Sequence, residues 1–238
     1  MDDAITVTGL TVLRGGKPVL EHLSCRAPAG RITGLLGPSG AGKTTLIRAI
    51  VGVQRVQGGT VTVLGQPAGA PALRATVGYV AQTPSVYRDL TVLENARYFA
   101  SVAGASAAAA HSAVDQVGLK AEKNQLVGTL SGGQQSRASL ACAVVGDPAV
   151  LVLDEPTVGQ DPVLREELWA SFRERADHGT TLLVSSHVMD EANRCDRLLL
   201  IRNGALLADE TPEQVKLRAG TDDLDQAFLT LIRQGAAS

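Results

Sequence analysis

Lys43, Thr44 and Thr45 directly follow a glycine-rich stretch made of Gly37, Pro38, Ser39, Gly40, Ala41 and Gly42. The pattern is GxxxxGK[ST], in which glycines let backbone N–H groups crowd around phosphate oxygens. Lys43 is expected to reach the β- and γ-phosphates of a nucleotide, and the Thr44 hydroxyl to ligate a magnesium ion. A second group of reactive side chains ends the apolar run VLVLDE. There Asp154 is suited to hold the hydration shell of the magnesium and Glu155 to polarise an attacking water. A third group is LSGGQ, in which Ser131, Gly132, Gly133 and Gln134 precede an apolar-periodic segment. Its first backbone N–H groups would make a second anion-binding helix start.

The elements that must position these groups can be read from hydrophobic periodicity. Ile32, Leu35 and Leu36 form a short apolar run fit for a buried strand, and Lys43 opens a helix ending near Val51. Ahead of them, Ile5 to Leu13 and Val19 to Leu23 alternate as two strands of a hairpin around an Arg14 to Pro18 turn. Thr60 to Leu64 and Val77 to Val80 read as further strands, the latter leading to Gln82. From Leu90 to Val117 helix formers dominate, with Gly104 and Gly118 as breaks. The strand pattern resumes at Val150 to Leu153, and Asp161 and Pro162 start a helix to about Arg175. Thr181 to Val184 is the next strand, closed by His187. Arg197 to Ile201 and Ala205 to Asp209 then flank an Asn203-Gly204 hairpin turn. Thr211, Pro212 and Gln214 open a helix with capping potential, and Leu224 to Ile232 is amphipathic.

The expected fold class is therefore α/β. A P-loop NTPase core with a mixed sheet (1–83 and 146–210) carries an N-terminal antiparallel β-subdomain. An inserted all-helical subdomain at about 84–145 bears the LSGGQ motif, and C-terminal helices occupy 211–238. The 238 residues make one nucleotide-binding domain. A formal charge of −2 and the lack of a basic stripe with interleaved aromatics argue against a nucleic-acid partner. The apolar runs are strand-length and too short to cross a bilayer. The opening MDDAITVTGL has neither the basic nor the apolar part of a secretion signal. Cys25, Cys142 and Cys195 are widely spaced among small or apolar residues, as reduced, packed thiols would be.

GPSGAGKTT, Gln82, LSGGQ, LVLDEPT, the Val158 to Asp161 loop and His187 occur in one order. In that order they resemble the nucleotide-binding subunits of ATP-binding-cassette (ABC) transporters, over nearly the whole chain. The resemblance implies ATP and Mg2+ as ligands, and a head-to-tail dimer with a second copy of itself. In such a dimer the phosphate loop of one copy and LSGGQ of the other would clamp each ATP. It further implies that Gln82 contacts magnesium and the attacking water and relays nucleotide state to a membrane partner. By the same resemblance His187 would hydrogen-bond the γ-phosphate and Asp161 would reach the opposite copy's site. From its residue type alone, His187 could equally be a packed strand-end histidine. A metal site with Asp190 and Glu191 lacks further ligands.

Two positions depart from the family pattern. Arg14 falls where an aromatic residue usually stacks on adenine; its guanidinium plane either stacks on the base or is an exposed turn residue. GLDP reads GQDP here, with Gln160 at the expected dimer seam. The stretches QTPSVYRDLTVLENARYFA and SSHVMDEANRCDRLLLIRNGALLADETP resemble the bacterial drug- and antibiotic-export branch, to which daunorubicin-type resistance ATPases belong. The implied setting is the cytoplasmic side of the plasma membrane, held there by a separate polytopic transmembrane permease. The alternative, a soluble ABC ATPase of DNA repair or the ribosome, calls for inserted coiled coils or tandem cassettes, which the sequence lacks.

Overall fold

The computed structural model describes residues 2–235, with side chains through residue 233; Met1 and the 236–238 end of the expected C-terminal helices lie outside them. The first strands, β1 (Asp3–Arg14) and β2 (Lys17–Pro28), form a long antiparallel hairpin. The turn is tighter than the expected Arg14 to Pro18 loop. Gly15 and Gly16 take φ of 54° and 78°, the pair of left-handed residues that a two-residue turn needs to match strand twist. Arg14 therefore ends β1, paired with Lys17, rather than occupying a loop. The second strand also runs past Leu23, because Cys25 and Ala27 continue the inward alternation.

β3 (Ile32–Leu36) enters the phosphate loop and α1 (Lys43–Ile50) leaves it. β4 (Gly58–Val63) and the short β5 (Gln66–Pro67) join the hairpin in a four-stranded antiparallel sheet ordered β2-β1-β4-β5. After β6 (Val77–Val80) come α2 (Val92–Ala103), α3 (Ala107–Gln116) and α4 (Gly132–Val144). Each begins at a side-chain cap: Thr91 and Ser131 form reciprocal capping boxes with Glu94 and Gln134, and Ser106 caps Ala109 N. β7 (Val150–Asp154), α5 (Pro162–Asp177) and β8 (Thr181–Ser186) follow. The segment after His187 is 3₁₀ in character, Met189–Arg194. The chain closes through β9 (Arg197–Arg202), β10 (Ala205–Glu210), α6 (Pro212–Ala219) and α7 (Leu224–Gly235).

The six-stranded sheet runs β10-β9-β3-β8-β7-β6, parallel except at the β9–β10 hairpin. Both faces are covered, so the central strands β3, β7 and β8 are buried at every position and read as largely apolar runs. Along β7, Val150 and Val152 face a core shared with α1 and the antiparallel sheet. Leu151 and Leu153 face the helices from α2 to α5. β3 lies between β8 and β9, so the phosphate loop leaves the sheet where its neighbours come from distant parts of the chain. Arg173 on α5 donates to Asp196, whose carboxylate also accepts from Ile32 N at 2.8 Å, tying α5 to the start of β3. No helix among the described residues is long and apolar enough to cross a membrane.

Cys25, Cys142 and Cys195 are all buried and free. Burial pushes each thiol up to about 12, reinforced at Cys25 by Asp209 and at Cys195 by Asp196 and Glu191. The thiolate is the reactive form. Native protein should therefore resist iodoacetamide near neutral pH and label at all three cysteines once unfolded, as intact-mass spectrometry would read. Rapid labelling of native protein would contradict this packing.

Candidate functional site: a phosphate loop facing a carboxylate

Gly37 to Thr45 lie at the C-terminal end of β3. The loop is wedged against two backbones. A Cβ on Gly37 would stand 2.1 Å from Ile201 O, and Gly204, whose N donates to Ala41 O at 3.0 Å, has the same 2.1 Å approach to Val19 O. Pro38, Ser39 and Gly40 are exposed, whereas Ala41, Gly42, Lys43 and Thr45 are buried and Thr44 is half-buried. Lys43 Nζ donates to Gly37 O at 2.7 Å and Pro38 O at 3.2 Å, which holds the ammonium beneath the loop.

The strands parallel to β3 deliver the other polar groups from the same edge of the sheet: β6 leads to Gln82, β7 ends at Asp154 and β8 leads to His187. Glu155 is where they meet. Its Oε1 lies 3.6 Å from Lys43 Nζ and 3.6 Å from His187 Nδ1, and its Oε2 accepts from Gln82 Nε2 at 3.1 Å. Glu155 has a φ of 53°, uncommon for a residue with a Cβ. That conformation turns the chain sharply at the end of β7.

Ser185 gave no signal in the sequence beyond being a serine near a strand end. The β7–β8 register pairs it with Asp154, and its hydroxyl donates to Asp154 Oδ1 at 2.7 Å while accepting from Glu155 N at 2.9 Å. One hydroxyl thus sets the orientation of both carboxylate-bearing residues. Asp154 is buried, and its Oδ2 has no hydrogen-bond partner. Mg2+ keeps much of its water and takes few protein ligands, so this spare anionic oxygen, with the Thr44 hydroxyl, fits a hydrated magnesium ion. Among the described residues no cluster of three or more His, Cys, Asp or Glu side chains could hold a metal by themselves.

The signature motif occupies a separate groove, lined by Ser131 to Arg137, Val158 to Asp161, Pro84 and Leu164. No residue of the phosphate loop lines it. Ser131 Oγ accepts from Gln134 N at 3.3 Å, Gln134 Oε1 accepts from Ser131 N at 3.0 Å, and Gln134 Nε2 donates to Glu122 at 3.3 Å. Gln134 is thereby engaged within the chain. The first N–H groups of α4, at Gly132 and Gly133, are those that a helix leaves without an internal acceptor. Asp161 caps α5 by accepting from Val163 N and Leu164 N, both at 3.0 Å. Arg14 sits exposed at the tip of the β1–β2 hairpin.

A phosphate loop at the end of a parallel strand, with acidic residues ending a nearby parallel strand, defines a P-loop nucleotide-binding domain. The chain belongs to the ABC transporter family, whose model matches residues 20–158. It is 40% identical over 222 residues to the probable multidrug ABC transporter ATP-binding protein YbhF of Escherichia coli, covering 90% of this chain and 38% of that protein. It is 42% identical over 205 residues to the Nod factor export ATP-binding protein I of Burkholderia lata, covering 83% of this chain and 67% of that one. A solved ATP-binding subunit of an ABC transporter superposes with a TM-score of 0.89 at 26% identity, over 96% of this chain and 99% of that one. A dimeric ATP-binding cassette solved in a post-hydrolysis state with ADP and Pi has the same fold, with a TM-score of 0.81 at 22% identity, over 87% of this chain and 98% of that one.

Replacing Ser185 with alanine removes the one hydrogen bond to Asp154 Oδ1 that its hydroxyl supplies and the acceptor for Glu155 N. The expected cost is about 1–3 kcal/mol of stability, readable as a lower denaturant midpoint. Turnover of ATP should fall more than ATP affinity, because the phosphate loop keeps its own contacts. Unchanged stability and turnover would contradict this role.

Proposed function

We propose that this chain is the ATP-binding and ATP-hydrolysing subunit of an ABC exporter. It would power export of a small molecule of the drug or antibiotic kind through a separate transmembrane subunit. The observation that carries the reading is the convergence of Lys43, Gln82 and His187 on the Glu155 carboxylate at the mouth of the phosphate loop. The names of the relatives, a multidrug transporter protein and a Nod factor export protein, support the direction of transport.

In this reading the backbone N–H groups of Gly40 to Lys43 and the dipole of α1 take up the triphosphate charge. Lys43 adds a positive charge on the β- and γ-phosphates. Thr44 and Asp154, with Gln82, would hold Mg2+, which supplies charge neutralisation on the phosphate oxygens when bound. Glu155 accepts a proton from the attacking water, while His187 orients the γ-phosphate and Gln82 the water. Ser131, Gly132 and Gly133 act on the nucleotide of a second copy, which is supported by their standing in a groove apart from their own phosphate loop. Two helix starts then face one triphosphate from opposite sides, an arrangement a single copy does not offer. Asp161, at the rim of that groove, contacts the opposite site across the seam.

The permease would hold the chain at the cytoplasmic face of the plasma membrane. Gln82 opens the loop that leads to the exposed Tyr87 and Tyr98, stacked edge-on at 5.3 Å between ring centroids. A relay from the nucleotide to the permease would pass through that aromatic surface.

Glu155→Gln should lower phosphate release by about 10²- to 10⁴-fold while ATP binding is retained; near-normal release would remove Glu155 as the base. Lys43→Ala should weaken ATP binding or turnover sharply, and unchanged values of both would contradict the phosphate-loop role. The transport reading itself is tested by tagging the chain in its host, solubilising the membranes gently and identifying what co-purifies. A polytopic membrane protein at near-equal stoichiometry is expected. Recovery only with ribosomes or DNA would overturn it.

A further inference from the structure

Gln160 stands where the family pattern has an apolar residue, yet it is 7% exposed and its amide is engaged. Nε2 donates to Gly133 O at 3.4 Å, and Oε1 lies 3.3 Å from the position a Cβ on Gly133 would take. The amide therefore packs against the second residue of α4, close enough that a side chain there would push it back by a few tenths of an ångström. On its other side Gln160 is linked to the backbone of Glu155 by overlapping turns: Val158 N donates to Glu155 O at 3.3 Å and Gln160 N to Thr157 O at 3.2 Å. Gln160 lines both the signature groove and the small cavity that contains Gln82, Asp154 and Glu155. With Ser136 and Arg137 it forms the wall they share.

We infer that Gln160 is a positioning residue that locks the start of α4, and with it the signature loop, to the turn carrying Glu155. The inference rests on the dimer reading above for its consequence. A chain's own Glu155 and its own signature loop serve different nucleotides in that dimer, so a contact inside one chain links the two sites. The Gln160 amide is suited to this because it offers both a donor for the Gly133 carbonyl and a planar surface against the glycine backbone. A leucine would offer only bulk.

Gln160→Met keeps length and apolar volume but removes the donor, and Gln160→Glu keeps shape while setting a carboxylate oxygen against a carbonyl. Hydrogen exchange on the isolated chain should quicken severalfold at 131–137 in both variants, more in the glutamate one. Affinity of the monomer for a fluorescent ATP analogue should stay unchanged, since the hydrogen bonds of Gln160 run to Gly133 and Thr157 and neither cavity it lines includes a phosphate-loop residue. In a Glu155→Gln background, ATP-driven dimerisation should weaken roughly 5- to 30-fold, the size expected when each of the two copies loses one modest net hydrogen bond. Wild-type exchange and dimerisation in Gln160→Met would overturn the link. A parallel loss of nucleotide affinity would also overturn it, marking Gln160 as a general support of the fold. Quickened exchange, with no ATP-driven dimer even when Gln160 is intact, would instead overturn the dimer reading and leave the contact within the chain standing.

Discussion

A carboxylate beside a site built for a triphosphate experiences repulsion as soon as its ligand arrives, and in this protein it is held there by counter-charge and backbone together. Glu155 stands one residue beyond β7 in a left-handed backbone conformation that costs of order 1–3 kcal/mol. Lys43, 5% exposed, lies 3.6 Å from it. Removing either member of so enclosed a pair leaves a charge without its partner, which is far more costly than never having had the pair. The lysine thus serves the loop in two ways: its hydrogen bonds to Gly37 O and Pro38 O brace the backbone, and its charge makes the neighbouring carboxylate tolerable.

Everything else in the site follows from bringing strand ends together. In a parallel sheet the C-terminal ends open on one edge, and here that edge gathers the phosphate loop, Asp154, the residue pair Ser185 and His187, and Gln82. The helical segment from α2 to α4 lies over one face of the sheet and carries the signature groove to a different place. The result is a pair of glycine-rich helix starts in one chain that do not share a cavity.

Much of this was legible in the residues because its signals are local. The phosphate loop, the acidic strand end, the Asp161 and Ser131 caps and the Asn203-Gly204 turn each declare themselves within a few positions, and the structure contains them as elements. What could not be read depends on partners far away in the chain. Ser185 becomes meaningful only when strand register sets it opposite Asp154, 31 positions away. Gln160 looked like a departure at an outer seam, whereas burial against Gly133, 27 positions earlier, gives it a partner within the chain. The hairpin was misjudged locally: the glycine pair at 15 and 16 makes a tighter turn than a loop through Pro18, which returns Arg14 to the strand.

The position of β3 also bears on how the molecule is made. Its neighbours in the sheet are β8 and β9, and the floor of the phosphate loop includes Ile201 O and the Gly204 turn. Chains leave the ribosome from the N-terminus at about 5–20 residues per second. Within this domain the nucleotide loop is therefore synthesised before the strands and the turn that brace it. Until β8 and β9 emerge, the fully buried Ile32 to Leu36 strand has neither hydrogen-bonded edge satisfied, so ATP has no formed cradle with which to assist early folding. The β1–β2 hairpin, which precedes that strand and shares a core with Leu35, is placed to cover it until its distant neighbours emerge.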